Sequence, residues 1–183
     1  MRSEIAAEPL VLRQYEPAFA ALLYEAARAS YSPQFAHYLP WCHAAYTLAE
    51  SEQFVAQSAA DWQDGSAYNY ALFDAQSREF CGGIGLNQPN QVHGYYNLGY
   101  WVRTSRQRQG LAAQAIHHLV RAAFADLPTL HRLEILTLPD NLPSQRTALA
   151  AGATPEGLLR QRLRVGPGQY DALLYSLVRA DVA

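Results

Sequence analysis

The residues best suited to chemistry in this 183-residue chain form one short run, Gln107-Arg108-Gln109-Gly110-Leu111-Ala112. Tyr96-Asn97-Leu98-Gly99-Tyr100-Trp101-Val102 precedes it and alternates with the period of a strand, with Tyr96, Leu98, Tyr100 and Val102 on one face. After it, Ala112, Ile116, Leu119, Ala123 and Leu127 recur at the spacing of one helix face, with Gln114, His117, His118 and Arg121 largely outside it. The run is therefore a strand-to-helix turn. Such a turn leaves the first N–H groups of the helix without intrahelical acceptors, at the positive end of the helix dipole. An anion, phosphate in particular, suits that place. Gly110 has no Cβ, so the backbone there can approach a ligand closely. Two nucleotide-binding readings fail. The P-loop needs a lysine and the chain has none; the dinucleotide fingerprint needs more glycines than the one present.

The composition narrows the classes further. Half of the residues are hydrophobic and 16% are charged, which fits one globular domain over residues 1–183 with a substantial core. A formal net charge of -2 gives no general attraction to nucleic acid or to an anionic membrane. Cys42 and Cys81 are far apart and form no Cys-x-x-Cys pair, so neither a disulfide framework nor a nucleophile motif is indicated, and a reducing, cytoplasmic setting is expected. No His/Cys/carboxylate set has ligand spacing, so no metal is expected. Residues 1–9 lack the apolar core of a signal peptide, and no run approaches the roughly 20 apolar residues of a membrane span. A homodimer is compatible with the sequence.

The elements that must position the turn read as follows. Leu10–Arg13 is a first strand; Pro17 opens a helix reaching about residue 29; an aromatic-rich, irregular segment follows to His43. Thr47-Leu48-Ala49-Glu50 is a capping box, and Gly65 ends its helix. Tyr68–Phe73 and the glycine-rich Phe80–Leu86 are strands, then come Tyr96–Val102, the anion turn and its helix. Leu133–Leu138 is a strand, Asn141-Leu142-Pro143-Ser144 starts a short helix, and Gly157–Val165 and Tyr170–Val178 are two strands joined at Gly166-Pro167-Gly168. The order is that of a mixed α/β sheet rather than strict β-α alternation.

This order, with the Gln107–Ala112 run, resembles the GCN5-related N-acetyltransferase (GNAT) fold over nearly the whole chain, and most of all its ribosomal-protein-serine branch. The features that carry the resemblance are Leu10-Val11-Leu12-Arg13, Leu39-Pro40-Trp41, Leu98-Gly99-Tyr100-Trp101-Val102, Gln107–Ala112, Asn141 with Ser144, Gly152, and Glu156-Gly157. It implies a mostly antiparallel central sheet of six to seven strands with a central splay and about four helices. Two departures stand out. Ala153 follows Gly152 where the family commonly has phenylalanine, and the helix from Leu142 to Ala151 lacks the tyrosine that many members use as general acid.

The resemblance implies acetyl-CoA as cosubstrate. Its pyrophosphate would lie over the N–H groups of Gln109 to Ala112, next to Gln107, with a charge-assisted contact from Arg108. The pantetheine would pair with the backbone near Trp101 and Val102, and Asn141 would fix a pantetheine amide or carbonyl. Ser144 is the candidate acid or water-orienting group toward the CoA sulfur, or else a local helix-start hydrogen-bonding residue. Glu156 is the candidate base, or else a solvated turn residue. His37, Tyr38 and Trp41, with His43 and Tyr46, either line an acceptor groove or pack a corner. Arg160, Arg162 and Arg164 share a strand face that either guides an acidic protein or is simply solvated. The implied activity is acetylation of a primary amine, a protein N-terminal α-amine of the ribosomal-protein type or a small-molecule amine; a non-catalytic acyl-CoA-binding module is the alternative.

Overall fold

The structure, a computed structural model, describes residues 1–182. Its strands are β1 (Glu4–Ala7), β2 (Leu10–Gln14), β3 (Tyr68–Asp74), β4 (Phe80–Asn90), β5 (Tyr95–Val102), β6 (Arg132–Thr137), β7 (Thr154–Val165) and β8 (Gly168–Val178). Its helices are α1 (Ala20–Ser30), α2 (Pro33–Tyr38), α3 (Leu48–Asp64), α4 (Leu111–Asp126) and α5 (Leu142–Ala150). The strands form one sheet in the order β1-β2-β3-β4-β5-β6-β8-β7.

The mixed sheet is as expected, with two differences in number. There are eight strands among the described residues, because Glu4–Ala7 adds a hairpin partner to β2 and turns Ile5 and Ala7 into the core. There are five helices, because Pro33–Tyr38 makes a short one of its own. Ser32 caps it by accepting the Phe35 N–H at 3.1 Å, and Pro33 sits in the first turn. The capping box of α3 forms as read. The Glu50 N–H donates to Thr47 Oγ1 at 3.3 Å, the Thr47 N–H donates to Glu50 Oε2 at 2.9 Å, and Gly65 closes the helix at φ 77°.

Helices α4 and α5 cover one face of the sheet, and α1 and α3 the other. The larger core lies on the α4 side, where Ile116 and Leu119 meet Leu12, Tyr70, Leu86 and Leu133. The smaller lies on the α1 side, where Phe19, Leu23 and Val55 meet Ala71, Phe73 and Phe80. This two-sided burial follows from the alternation of the strands.

Every neighbouring strand pair is antiparallel except β5 and β6, which run parallel and pair only over Tyr95–Asn97 with Arg132–Glu134. From Leu98 to Val102, β5 has no partner on β6. This is the expected splay: a gap in the middle of the sheet into which β5 turns backbone N–H and C=O groups that a ladder would otherwise use. The expected arginine face on β7 is interrupted. Gln161 adopts φ 50° in a bulge between Leu159 and Leu163, so strict alternation fails across Arg160 and Arg162.

Candidate active site

The predicted turn lies at the C-terminal end of β5, where the gap opens. Gly110 is the N-cap of α4 at φ 75° and ψ 0°, a left-handed conformation that favours glycine. Arg108 is also left-handed, at φ 62°. Among the described residues, the N–H groups from Arg108 to Ala113 have no acceptor in the protein; the next one, of Gln114, returns to the Gly110 carbonyl at 3.1 Å. A Cβ built on Gly110 meets only Gln114 Nε2, at 3.9 Å, so space in front of the loop is open. Consecutive free N–H groups at a helix N-terminus are the donor set a pyrophosphate needs. Arg108 is exposed and makes no ion pair among the described residues, so its guanidinium is available to the same anion.

The loop is braced from behind by a residue that sequence reasoning passed over. Arg106 is half-buried and donates to Asp74 Oδ2 at 2.7 Å, Glu79 Oε2 at 2.6 Å and Gln109 Oε1 at 3.3 Å. Asp74 and Glu79 flank the β3–β4 turn, so Arg106 ties the loop to a hairpin. The Asp74 carboxyl, which also accepts the Ser77 and Gln76 N–H groups, is held far below the usual carboxylate range. Gln107 adds a second brace, its amide donating to the Val102 carbonyl at 3.0 Å.

Across the gap, Asn141 caps α5 by accepting the Ser144 N–H at 3.2 Å. Ser144 Oγ lies 3.0 Å from the hydroxyl of Tyr100, which also reaches the Ser144 carbonyl at 3.0 Å. Burial pushes the Tyr100 hydroxyl up to about 12, so it stays protonated at neutral pH. A tyrosine hydroxyl thus reaches Ser144 from β5 rather than from α5, a contact that the alternation of Tyr100 along the strand does not show.

On the α1 face, next to Trp101, lies a cavity of about 450 Å³. Its floor explains Gly83 and Gly85 of β4. A Cβ on Gly83 would stand 2.7 Å from the Tyr15 hydroxyl and 2.8 Å from Trp101 Nε1, and one on Gly85 would stand 2.3 Å from Asn69 Oδ1. Glycine lets side chains from neighbouring strands lie flat across the sheet. Trp41, Tyr46 and Phe54 form the wall above. Trp41 lines the cavity with His43 and Tyr46. His37 and Tyr38 are not among its lining residues. His37 Nε2 pairs with Asp140 Oδ2 at 3.2 Å, and the Tyr38 hydroxyl donates to the Asp140 carbonyl at 3.2 Å. They join α2 to the loop before α5, with Phe35 of α2 resting on Trp101.

Glu156 is placed differently from a free base. Arg132 holds it from both nitrogens, at 2.7 and 2.5 Å, and Ser176 Oγ donates to it at 2.5 Å. These contacts pull its carboxyl down to about 2. A carboxylate that acidic is a poor proton acceptor for an amine, so this arrangement favours a positioning role. Asp126 is held at about 2 in the same way by Arg2. Both carboxyls are depressed relative to an unfolded chain, where they titrate at about 3.9–4.3. Their stabilisation is complete above those values and is lost as pH falls toward 2. Urea midpoints are expected to be flat from about pH 7 to 5 and to fall between about pH 4.5 and 2; Glu156→Gln removes part of that fall.

Both cysteines are free and buried, and burial raises both thiols, which agrees with the absence of a nucleophile motif. No group of metal-ligating side chains occurs among the described residues, and no helix is long and apolar enough to cross a membrane.

The wider comparisons agree with this geometry. Residues 9–154 match the profile of the acetyltransferase (GNAT) domain family. The ribosomal-protein-serine acetyltransferase of Escherichia coli (strain K12) is 30% identical over 116 residues, 63% of each chain. A Vibrio cholerae protein provisionally described as a ribosomal-protein-serine acetyltransferase superposes with a TM-score of 0.82 at 29% identity, covering 97% of this chain and 99% of its own. The structure of RimL, a ribosomal L7/L12 α-N-protein acetyltransferase, in complex with coenzyme A shows the same fold, with a TM-score of 0.87 at 22% identity over 98% and 99% of the two chains. A splayed sheet, an anion turn beside the splay and a family profile spanning most of the sequence lead to one assignment: the chain belongs to the GNAT acetyltransferase family.

Proposed function

We propose that the protein transfers the acetyl group of acetyl-CoA to a primary α-amine, a protein N-terminus of the ribosomal-protein type in the first place. The free N–H groups from Arg108 to Ala113 and the exposed Arg108 support binding of the pyrophosphate, and the β5 edge from Leu98 to Val102, which lacks a partner on β6 and of which Gln107 takes only the Val102 carbonyl, supports a pantetheine lying in the gap. In the transfer, the amine nitrogen attacks the thioester carbonyl carbon, the C–S bond breaks, and the thiolate takes up a proton. A β5 N–H near Tyr100 or Trp101 would face the developing oxyanion. Ser144, with Tyr100 behind it, supplies the hydroxyl that stabilises the leaving sulfur.

One observation carries the choice of an α-amine. The carboxylates on the acceptor face are already engaged: Glu50 by Thr47 and His43, Glu134 by Arg132, and Glu156 by Arg132 and Ser176. An amine that needs little help suits such a site. At pH 7, deprotonating an α-amine costs about 1–1.4 kcal/mol, against about 4–5 kcal/mol for lysine. Glu156 then acts by fixing Arg132 and Ser176, and it serves as base only if Arg132 releases it. The bounded cavity favours a second reading, a small-molecule amine.

Thiol release from acetyl-CoA against N-terminal peptides, ribosomal proteins and small amines separates these readings. Turnover confined to peptides and proteins supports the first, and turnover confined to small amines the second. CoA binding without any turnover overturns both and leaves a binding module. Ser144→Ala is expected to lower kcat about tenfold or more, with the Kd for CoA changed less than about threefold. An unchanged kcat would remove Ser144 from the reaction.

A further inference from the structure

The cavity beside Trp101 has features that the transfer itself does not use. Tyr15 is 4% exposed, yet its hydroxyl makes no hydrogen bond among the described residues and lies on the cavity floor over Gly83. Trp101 Nε1 lies beside it, also without an acceptor. Asn69 spends its amide nitrogen on Ser58 Oγ at 3.2 Å, leaving its oxygen free; Asn87 accepts from Asn97 at 2.9 Å, leaving its nitrogen free. No buried side-chain N or O atom among the described residues is sealed off without a partner, so these free atoms are the ones open to the cavity. The wall above them is aromatic. Glu50, paired with His43 at 2.9 Å, is the only carboxylate in the lining among the described residues, and no arginine is present there.

That combination describes an occupant. An apolar or aromatic group fills the space between Trp41, Tyr46, Phe54 and the glycine floor. A neighbouring amide or carbonyl satisfies Tyr15, Trp101, Asn69 and Asn87. A cationic amine is drawn in by Glu50 and the ring faces, whereas an acidic side chain meets the like charge of Glu50 and no arginine. A serine or alanine side chain would leave most of the roughly 450 Å³ empty.

We propose that this cavity is the acceptor-side specificity pocket and that it selects α-amines whose first side chain is bulky and apolar or aromatic, followed by a carbonyl, and rejects acidic ones. The inference rests on the transferase reading given above and narrows its acceptor away from termini that begin with serine or alanine. The same chemistry occurs at a peptide N-terminus and in a free amino-acid amide.

The test is kcat/KM for acetyl transfer to peptides beginning Phe, Leu, Ser, Ala or Glu, and to the corresponding single-residue amides. Phe and Leu acceptors are expected to exceed Ser and Ala by about tenfold or more, with Glu lowest. Faster peptides identify a protein terminus as the source, and faster amides a small molecule; either supports the pocket. Gly83→Ala, which crowds Tyr15 and Trp101, should lower the Phe value about tenfold and the Ser value less than about threefold, with CoA affinity as the folding control. Should that variant fail to fold, Glu50→Gln keeps the capping box and should raise Glu acceptors relative to Phe by about threefold. Ser or Ala acceptors equal to or better than Phe, or Glu acceptors equal to Phe, overturn the pocket and leave the transferase reading intact. CoA binding with no turnover on any amine overturns the transferase reading itself.

Discussion

Gly110→Glu should abolish CoA binding while leaving a folded protein. The variant places a carboxylate in front of the N–H groups that would receive the pyrophosphate. It also forces a side chain into a left-handed backbone, at φ 75°. Losing two charge-assisted hydrogen bonds at about 1.5–3 kcal/mol each accounts for a rise in Kd of about a hundredfold or more, which is about 2.7 kcal/mol. Gly110→Ala separates the two causes, because it keeps the strain and omits the charge; its Kd should rise no more than about tenfold. Calorimetric titration with CoA, alongside thermal melts, measures both. Near-native affinity in a folded Gly110→Glu protein would remove the loop from the CoA site.

Arg106→Ala should be the most damaging arginine substitution near the loop, although Arg106 faces away from the ligand. It removes contacts at 2.6, 2.7 and 3.3 Å and leaves Asp74 and Glu79 without the guanidinium they share. The pairs are partly exposed, so the stability loss is about 1–3 kcal/mol rather than the larger cost of a fully buried pair. Freed from the β3–β4 hairpin, the loop must be ordered on binding, which should raise the Kd for CoA about tenfold. Arg108→Ala makes the contrast. Its exposed guanidinium acts by charge alone, so its effect should be about threefold and should fade at high salt. Equal effects of the two substitutions on stability would contradict this division of labour.

That division also shows what the sequence can and cannot tell. The turn itself is legible, because the alternation before it, the helical spacing after it and a single glycine are all local. Arg106 and Arg108 are two residues apart and chemically identical; only the meeting of Arg106 with Asp74 and Glu79 separates brace from ligand contact. The Asn141 cap of α5 is equally local and equally readable. Alternation puts Tyr100 on an apolar face with Leu98 and Val102, which is right for the ring and silent about a hydroxyl that finds Ser144 across the gap. Gly83 and Gly85 look ambiguous alone, because their purpose lies in the Trp101 and Asn69 side chains of adjacent strands. Glu156 looks like a free turn glutamate until the register of β6, β7 and β8 brings Arg132 and Ser176 to it. His37 and Tyr38 are drawn away from the cavity by Asp140, more than a hundred positions later in the chain.

The central claim is acetyl transfer to an α-amine rather than to a lysine. The most direct measurement uses one peptide bearing both a free N-terminus and an internal lysine, incubated with acetyl-CoA at pH 7, with the acetylated position located by fragmentation mass spectrometry. The chain's own 183 residues contain no lysine, so no ε-acetylated background arises from the enzyme. The account predicts thiol release matched by acetyl on the α-nitrogen alone. Acetyl on the ε-nitrogen, with the N-terminus unmodified, would contradict it.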